Sequence, residues 1–490
     1  MIAWFAQNWF FTALLVNYGI ALGAAFFLLK SNQNPYKTLS SLLFLVALPF
    51  IGLVIYYFFG LEYRKSKIFK RKNLSENNLI KDWEDRLFFP NVKLEEFEKT
   101  FLQDRLKLVK LVRHNQKAAL TLKNKVTLLH NGEEKFEYLF KDLEQATNHI
   151  HLEYFILNDD PIGLKVIGHL ITAAGRGVTV RVIYDAVGSS LSREAKQKMT
   201  AAGIAHFPFM PVIFSNLTRK ANYRNHRKIV IVDGRIGYLG GVNISDDYVN
   251  NSNDTGALYW RDTHVRIAGD AVKTLQEQWL LNWYFVSKDA KDTCKVTNEL
   301  FPEIDEKECT PVQIAASGPD SDWANIMEAL FLAINSADEF IRITTPYFIP
   351  NEAILTALTS AARSGIKIEL MMPKTGDSWA ARYASRSYFE RLLESGVLVY
   401  WYTKGMLHAK TMVVDHMFAT IGTSNMDYRS FEINFEINAL FYDTDIACAL
   451  STHFDNDIKD CIVIDKKRWE QRNKIERFKE SFCRLWAPLL

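Results

Sequence analysis

Two short stretches of this chain carry the same reactive residues in the same register. The first reads His226-Arg-Lys228, runs through Ile-Val-Ile-Val to Asp233, and is followed by Gly240-Gly241-Val-Asn243. The second reads His408-Ala-Lys410, runs through Thr-Met-Val-Val to Asp415, and is followed by Gly422-Thr423-Ser-Asn425. Each matched residue is displaced by 182 positions. An imidazole can attack or carry a proton near neutral pH, and an ammonium neutralises anionic oxygen. Alternate side chains of a strand share one face, so His226 and Lys228 point the same way, as do His408 and Lys410. Two such pairs facing each other surround one anion with two imidazoles and two ammoniums. Gly240 and Gly422 let the next turn come close, and Asn243 and Asn425 add amide donors. That set suits a phosphodiester. Lysine charge holds the phosphoryl oxygens, one histidine attacks phosphorus and the other protonates the leaving alcohol. It needs neither metal nor cofactor. A lone His-x-Lys has no such weight; the doubling in one register supplies it.

The elements that must position these residues also come twice. Ile150–Ile156 and Ile341–Ile349 read as strands, each preceded by a helix-period stretch, near 135–148 and 322–337. A further helix ends at Gly177 in one half and Gly365 in the other, and strands follow at Val178–Tyr184 and Ile366–Met372. Strands alternating with helices predict two α/β lobes, each a mixed sheet flanked by helices. The lobes are placed at 126–300 and 301–490, after a charged connector that ends near residue 125. The C-terminal run from Lys466 to Trp486, with helical spacing and mixed charge, reads as a solvated helix packed on the lobes in preference to a lipid site. Phe207–Phe214, with Arg219-Lys220 behind it, fits either core strand packing or a loop that dips into lipid.

The amino terminus differs. No charged side chain occurs from Met1 to Leu29 or from Thr38 to Leu61. A helix needs about 20 apolar residues to cross a bilayer, so spans are expected near 9–29 and 39–59, as a hairpin within residues 1–61. Pro49 falls inside the second span, where contact with the neighbouring helix can absorb a kink. Six basic residues between Arg64 and Lys72 oppose two in the loop, Lys30 and Lys37. That imbalance predicts a multi-pass protein with its lobes on the cytoplasmic side, and bases beside a bilayer also attract anionic lipid. The 490 residues are 48% hydrophobic and carry a net charge of only +3, which argues against disorder and against a dedicated nucleic-acid binder. Five cysteines without metal-ligand spacing read as reduced thiols.

With these motifs in hand, the chain resembles the phospholipase D superfamily, whose hallmark is a duplicated HxKxxxxD with a downstream glycine and asparagine. More closely it is similar to membrane-anchored, two-motif bacterial cardiolipin synthases. Asn222–Val230, Gly240–Tyr248, Trp260–His264, Ser317–Asp320, Thr345–Phe348 and Asn425–Phe431 carry that likeness over essentially the whole chain. The resemblance implies two lobes related by a pseudo-twofold axis with one shared active site, in a bacterial inner membrane. It implies phosphatidyl transfer between two phosphatidylglycerols, giving cardiolipin and glycerol. The alternatives are hydrolysis of phospholipase D type, or transfer to another alcohol or to phosphatidylethanolamine. By the same likeness His226 is the nucleophile, His408 the acid and then the base, and Lys228, Lys410, Asn243 and Asn425 hold phosphate. An acidic residue downstream of each motif orients its histidine: Glu436 in the second half, Asp262 in the first. Thr423 offers a hydroxyl where the first half has Gly241. Asp233 and Asp415 complete the two motifs and stand with the catalytic candidates, although their place at a strand end reads as structural.

Overall fold

The computed structural model describes residues 8–30, 35–53, 105–116, 118–210, 223–250, 258–287, 294 and 296–487. The first lobe contains β1 (Asn124–His130), β2 (His149–Tyr154), β3 (Thr179–Asp185), β4 (Ala205–Phe209), β5 (Lys228–Val232), β6 (Ile236–Gly240), β7 (Tyr259–Arg261) and β8 (Thr263–Gly269). The second contains β9 (Val312–Ser317), β10 (Phe340–Thr344), β11 (Phe348–Ile349), β12 (Lys367–Pro373), β13 (Leu398–Tyr402) and β14 (Gly405–Leu407). It continues with β15 (Thr411–Val414), β16 (Phe418–Gly422), β17 (Met426–Asp427), β18 (Glu436–Phe441) and β19 (Cys461–Val463).

One sheet runs β1-β8-β6-β5-β2-β3-β4, and the other β9-β18-β16-β15-β10-β12-β13-β19. Strand for strand the orders coincide, with β19 an extra edge. Parallel pairing occurs at the same places, β2–β3–β4 and β10–β12–β13. Parallel neighbours need a crossover, and helices Pro161–Gly175 and Glu352–Arg363 provide it. Asp160 and Asn351 cap them, each side chain accepting a backbone N–H three residues on, at 3.0 Å. Each helix stops two residues before a left-handed glycine, Gly177 (φ 91°) or Gly365 (φ 99°). The repeat seen as a fixed displacement is therefore a repeat of the whole fold.

The two sheets meet face to face. Leu239, Val265 and Trp279 of the first lobe are fully buried in one cluster with Ala419, Ile437 and Phe441 of the second. Burying a large apolar side chain stabilises by about 1.5–3 kcal/mol, so this interface is a core in its own right. Phe209 belongs to that cluster and Phe207 packs beside it, which is the core alternative for this stretch; Pro211–Phe214 and Arg219-Lys220 lie outside the described residues. The end of the connector is not a passive tether. Helix Leu106–Gln116 buries Leu108, Val109 and Val112 on the second lobe, where Gln116 accepts from the Ala316 amide at 2.7 Å. The basic run 64–72 lies outside the described residues.

Helix Trp9–Lys30 is long and apolar enough to cross a membrane. The second span is not the continuous helix expected over 39–59. Helix Pro35–Ala47 ends ahead of Pro49, and Phe50 takes a left-handed conformation (φ 64°). Proline lacks the N–H and clashes with the preceding turn, which explains the break. Asn17 of the first helix, itself buried, accepts the Phe50 amide at 2.9 Å, and Ala21, Leu28 and Leu45 pack between the helices. Beyond Leu53 the span lies outside the described residues.

Candidate active site

The two histidines stand just ahead of their strands, which begin at Lys228 and Thr411. They do not join their own sheets as a simple strand reading predicts, because their backbone amides are taken by the opposite lobe. His226 N–H donates to the Phe435 carbonyl at 3.0 Å, and His408 N–H to the Arg261 carbonyl at 2.7 Å. A short parallel pairing of β7 with β14 continues the second contact. The residue after each accepting carbonyl is an acid, Glu436 or Asp262. Glu436 therefore meets His226 Nδ1 with both oxygens at 3.0 Å, and Asp262 meets His408 Nδ1 at 2.8 Å. The expected pairing of each histidine with the acid of its own half is corrected here. The pairs are crossed.

Each carboxylate fixes the Nδ1–H tautomer and leaves Nε2 for chemistry. Thr423 donates its hydroxyl to Glu436 and accepts the Ile437 amide at 2.9 Å, so it braces the carboxylate. In the first lobe Gly241 takes that place because a Cβ there would lie 2.0 Å from Asp262 Oδ1. Asp262 is braced instead by the Thr263 amide at 2.7 Å. Lys228 and Lys410 are buried, and each ammonium donates to the carbonyl of its own motif histidine.

Burial governs the electrostatics. It lowers Lys228 to about 7, helped by Lys410, and lowers Lys410 to about 8. Burial and Lys410 lower His408 to about 4 against the pull of Asp262. His226 is lowered by burial despite Glu436. Burial alone raises a carboxylate, yet Glu436 and Asp262 both come out below their usual range, because the facing histidine and lysines prevail. Lys228 acts on His408 and Lys410 on His226, so all six groups share one field. Such a site is held short of an anion, and a phosphodiester raises the histidines and lysines on arrival.

Asp233 and Asp415 do not belong to it. Each ends its strand in a left-handed conformation, at φ 54° and 52°. Asp233 accepts the amides of Thr147, Asn148 and His149 at 2.8–2.9 Å. Asp415 accepts those of Asp338, Glu339 and Phe340 at 2.9–3.2 Å, and Arg105 at 2.8 Å. Each aspartate lies five positions beyond its lysine, roughly 16 Å of extended chain. They tie β5 and β15 to the entry of β2 and β10. Asp233→Ala should destabilise by about 2–4 kcal/mol, through lost charge-assisted bonds and a strained φ, with kcat of the folded fraction nearly unchanged. Calorimetry beside turnover checks this; inactivity in a fully folded variant would return the aspartate to the reacting set.

Asn243 and Asn425 lie beside the cluster with their amides occupied locally. Asn243 Nδ2 donates to the Tyr248 hydroxyl at 2.6 Å, and Asn425 Nδ2 to Asp427 at 3.0 Å. A phosphate contact from either exchanges that bond. Aromatic rings that the spacing argument missed wall the site. Phe155 stands edge-on to His226 at 4.9 Å, and Tyr248 and Trp260 to His408 at 5.6 and 5.5 Å. Tyr248 and Trp260 lie in stretches that carry the family likeness and Phe155 in the strand Ile150–Ile156, but nothing in the spacing aimed these rings at the histidines.

Two HxKxxxxD strands brought together between like lobes are the architecture of the phospholipase D superfamily. The family model described as cardiolipin synthase, PLD-like domain, matches residues 139–279 and 330–458. A cardiolipin synthase of Geobacillus sp. (strain WCH70) is 42% identical over 470 residues, covering 95% of this chain and 91% of the relative. One from Halalkalibacterium halodurans is 39% identical over 491 residues, covering 99% and 95%. The crystal structure of a phosphatidylserine synthase from Haemophilus influenzae shares the fold, with a TM-score of 0.59 at 15% identity over 78% of this chain and all of that one. The chain belongs to the cardiolipin synthase family of the phospholipase D superfamily.

Proposed function

We propose that this chain is a membrane-anchored phosphatidyltransferase that joins two phosphatidylglycerols into cardiolipin and releases glycerol. The observation that carries the reading is the crossed pair of histidines, each locked by a buried carboxylate and facing two buried lysines. His226 Nε2 attacks phosphorus, and the bond from phosphorus to the glycerol oxygen breaks as protonated His408 gives that oxygen its proton. A phosphatidyl-histidine results. Neutral His408 then takes the proton of a hydroxyl on the second phosphatidylglycerol, whose oxygen attacks phosphorus and frees His226. Lys228 and Lys410 hold the non-bridging oxygens, with Asn243 and Asn425 as further donors.

The same reading organises the chain as a membrane hairpin over 1–61, a basic juxtamembrane segment and connector over 62–125, and lobes at 126–300 and 301–490. Support for the hairpin comes from the apolar pair Trp9–Lys30 and Pro35–Ala47 packed through Asn17 and Leu45. The basic residues from Arg64 to Lys72 favour lobes on the cytoplasmic side of a bacterial inner membrane.

Purified protein in mixed micelles with labelled phosphatidylglycerol should yield cardiolipin and glycerol in equal amounts, separated by chromatography. One phosphodiester replaces another, so labelled glycerol should also enter phosphatidylglycerol by the reverse step. Phosphatidic acid as the main product would replace transfer with hydrolysis.

A further inference from the structure

The C-terminal helix Lys474–Arg484 is amphipathic the wrong way round for a solvated helix packed on a lobe. Such a helix turns its apolar stripe inward and its charges outward. Here the inward residues are Glu480 and Cys483, 2% and 1% exposed. Glu480 accepts from Arg386 Nε at 3.1 Å and Arg472 Nε at 2.9 Å, so its burial is a paired, built feature. Ile475, Phe478, Phe482, Leu485 and Trp486 face outward, 46–77% exposed. At about 100° per residue Ile475, Phe478 and Phe482 fall within an arc of about 60°, a single face, and Leu485 and Trp486 follow in the turn that ends the helix. Lys474, Arg477 and Arg484 flank it, all exposed, and Lys466, Lys467 and Arg468 stand exposed just upstream.

One helix links this element to the reactive site. Helix Lys474–Arg484 packs along helix Trp379–Arg386, whose first residue is itself 53% exposed. Two residues earlier, Asp377 accepts from the Tyr347 hydroxyl and acts electrostatically on Lys410. An apolar stripe with a basic flank matches a bilayer of anionic lipids, with acyl chains under the stripe and phosphates beside the bases.

We propose that this helix is a second membrane-contact element. It lies in the headgroup layer of an anionic bilayer and holds the mouth of the active site against the surface that supplies its donors. The inference rests on the lipid-transfer reading above.

The test uses the full-length chain and the triple variant Ile475→Glu, Phe478→Glu, Phe482→Glu, whose thermal midpoint in detergent should match the parent because all three positions are exposed. Both are reconstituted into vesicles of phosphatidylglycerol and phosphatidylcholine that contain a phospholipid with a photoactivatable diazirine near its carbonyls. Mass spectrometry should find lipid adducts on the 474–486 peptide of the parent and none there in the variant. Turnover on vesicles should fall roughly tenfold or more, while turnover on dispersed short-chain phosphatidylglycerol stays level. Absence of adducts in the parent, cross-links from this peptide to a second copy of the chain in their place, or equal vesicle turnover overturns the proposal. Labelling needs no catalysis, so it reads the contact even where the products contradict the transferase reading.

Discussion

The variant His226→Ala is expected to form no covalent phosphatidyl adduct with any donor, whereas His408→Ala should form one and stall. Both lose natural turnover, but at different steps. His226 offers the attacking nitrogen, while a bound phosphodiester holds Lys228 and Lys410 as ammoniums and His408 serves as the proton donor. His408 supplies the proton for the leaving alkoxide, a contribution of about 10²–10⁴ in rate. A donor with an acidic leaving alcohol, such as a nitrophenyl phosphodiester of the same lipid, needs little protonation. On that donor His408→Ala should release a burst of nitrophenol equal to the enzyme present, then stop, because no base activates the acceptor. His226→Ala should show no burst. Rapid mixing with absorbance detection reads both. A burst from His226→Ala and none from His408→Ala exchanges the roles, and near-normal lipid turnover in both removes the shared site.

Neutralising the carboxylates should cost about 10³–10⁴ in kcat, and the crossing dictates which histidine suffers. In Asp262→Asn, His408 loses the charge that supports its imidazolium. Burial and Lys410 already lower that group to about 4, so its protonated form becomes scarcer still. Protonated His408 is the form required, so the alkaline limb of kcat moves to lower pH. The nitrophenyl donor should restore the burst, as it does for His408→Ala. In Glu436→Gln the amide group can turn its NH2 toward Nδ1, which puts the ring proton on Nε2 and removes the attacking lone pair. That variant should give no burst and so resemble His226→Ala. If Asp262→Asn instead behaves like His226→Ala, each acid serves the histidine of its own half and the crossed reading fails.

Much of this was legible in the chain because it is local or repeated. The motif register, the strands at Ile150 and Ile341 and the glycine-ended crossovers all rest on short-range patterns. The crossing was not legible. Glu436 follows His408 and Asp262 follows His226, so order along the chain suggests pairs within each half. Only the face-to-face docking of β6 and β8 against β16 and β18 brings Phe435 to His226 and Arg261 to His408. Composition showed an apolar run over 39–59 but not where Pro49 and Phe50 break the helix. The C-terminal run looked solvated because its charges are mixed; its orientation is set by Arg386, 94 residues before Glu480.

The exchanged acids also bear on how the enzyme is made. Synthesis proceeds from the amino terminus, and the first lobe leaves the ribosome with His226 and Lys228 in place. Its histidine lacks both Phe435 to hold its backbone and Glu436 to set its tautomer. At about 5–20 residues per second the second lobe follows some 10–40 s later. Through that interval an apolar anchor is free to insert while the nascent chain cannot yet cut a lipid. On the proposed mechanism competence is expected only when β18 docks, and a truncated translation product that ends before Phe435 should be inert.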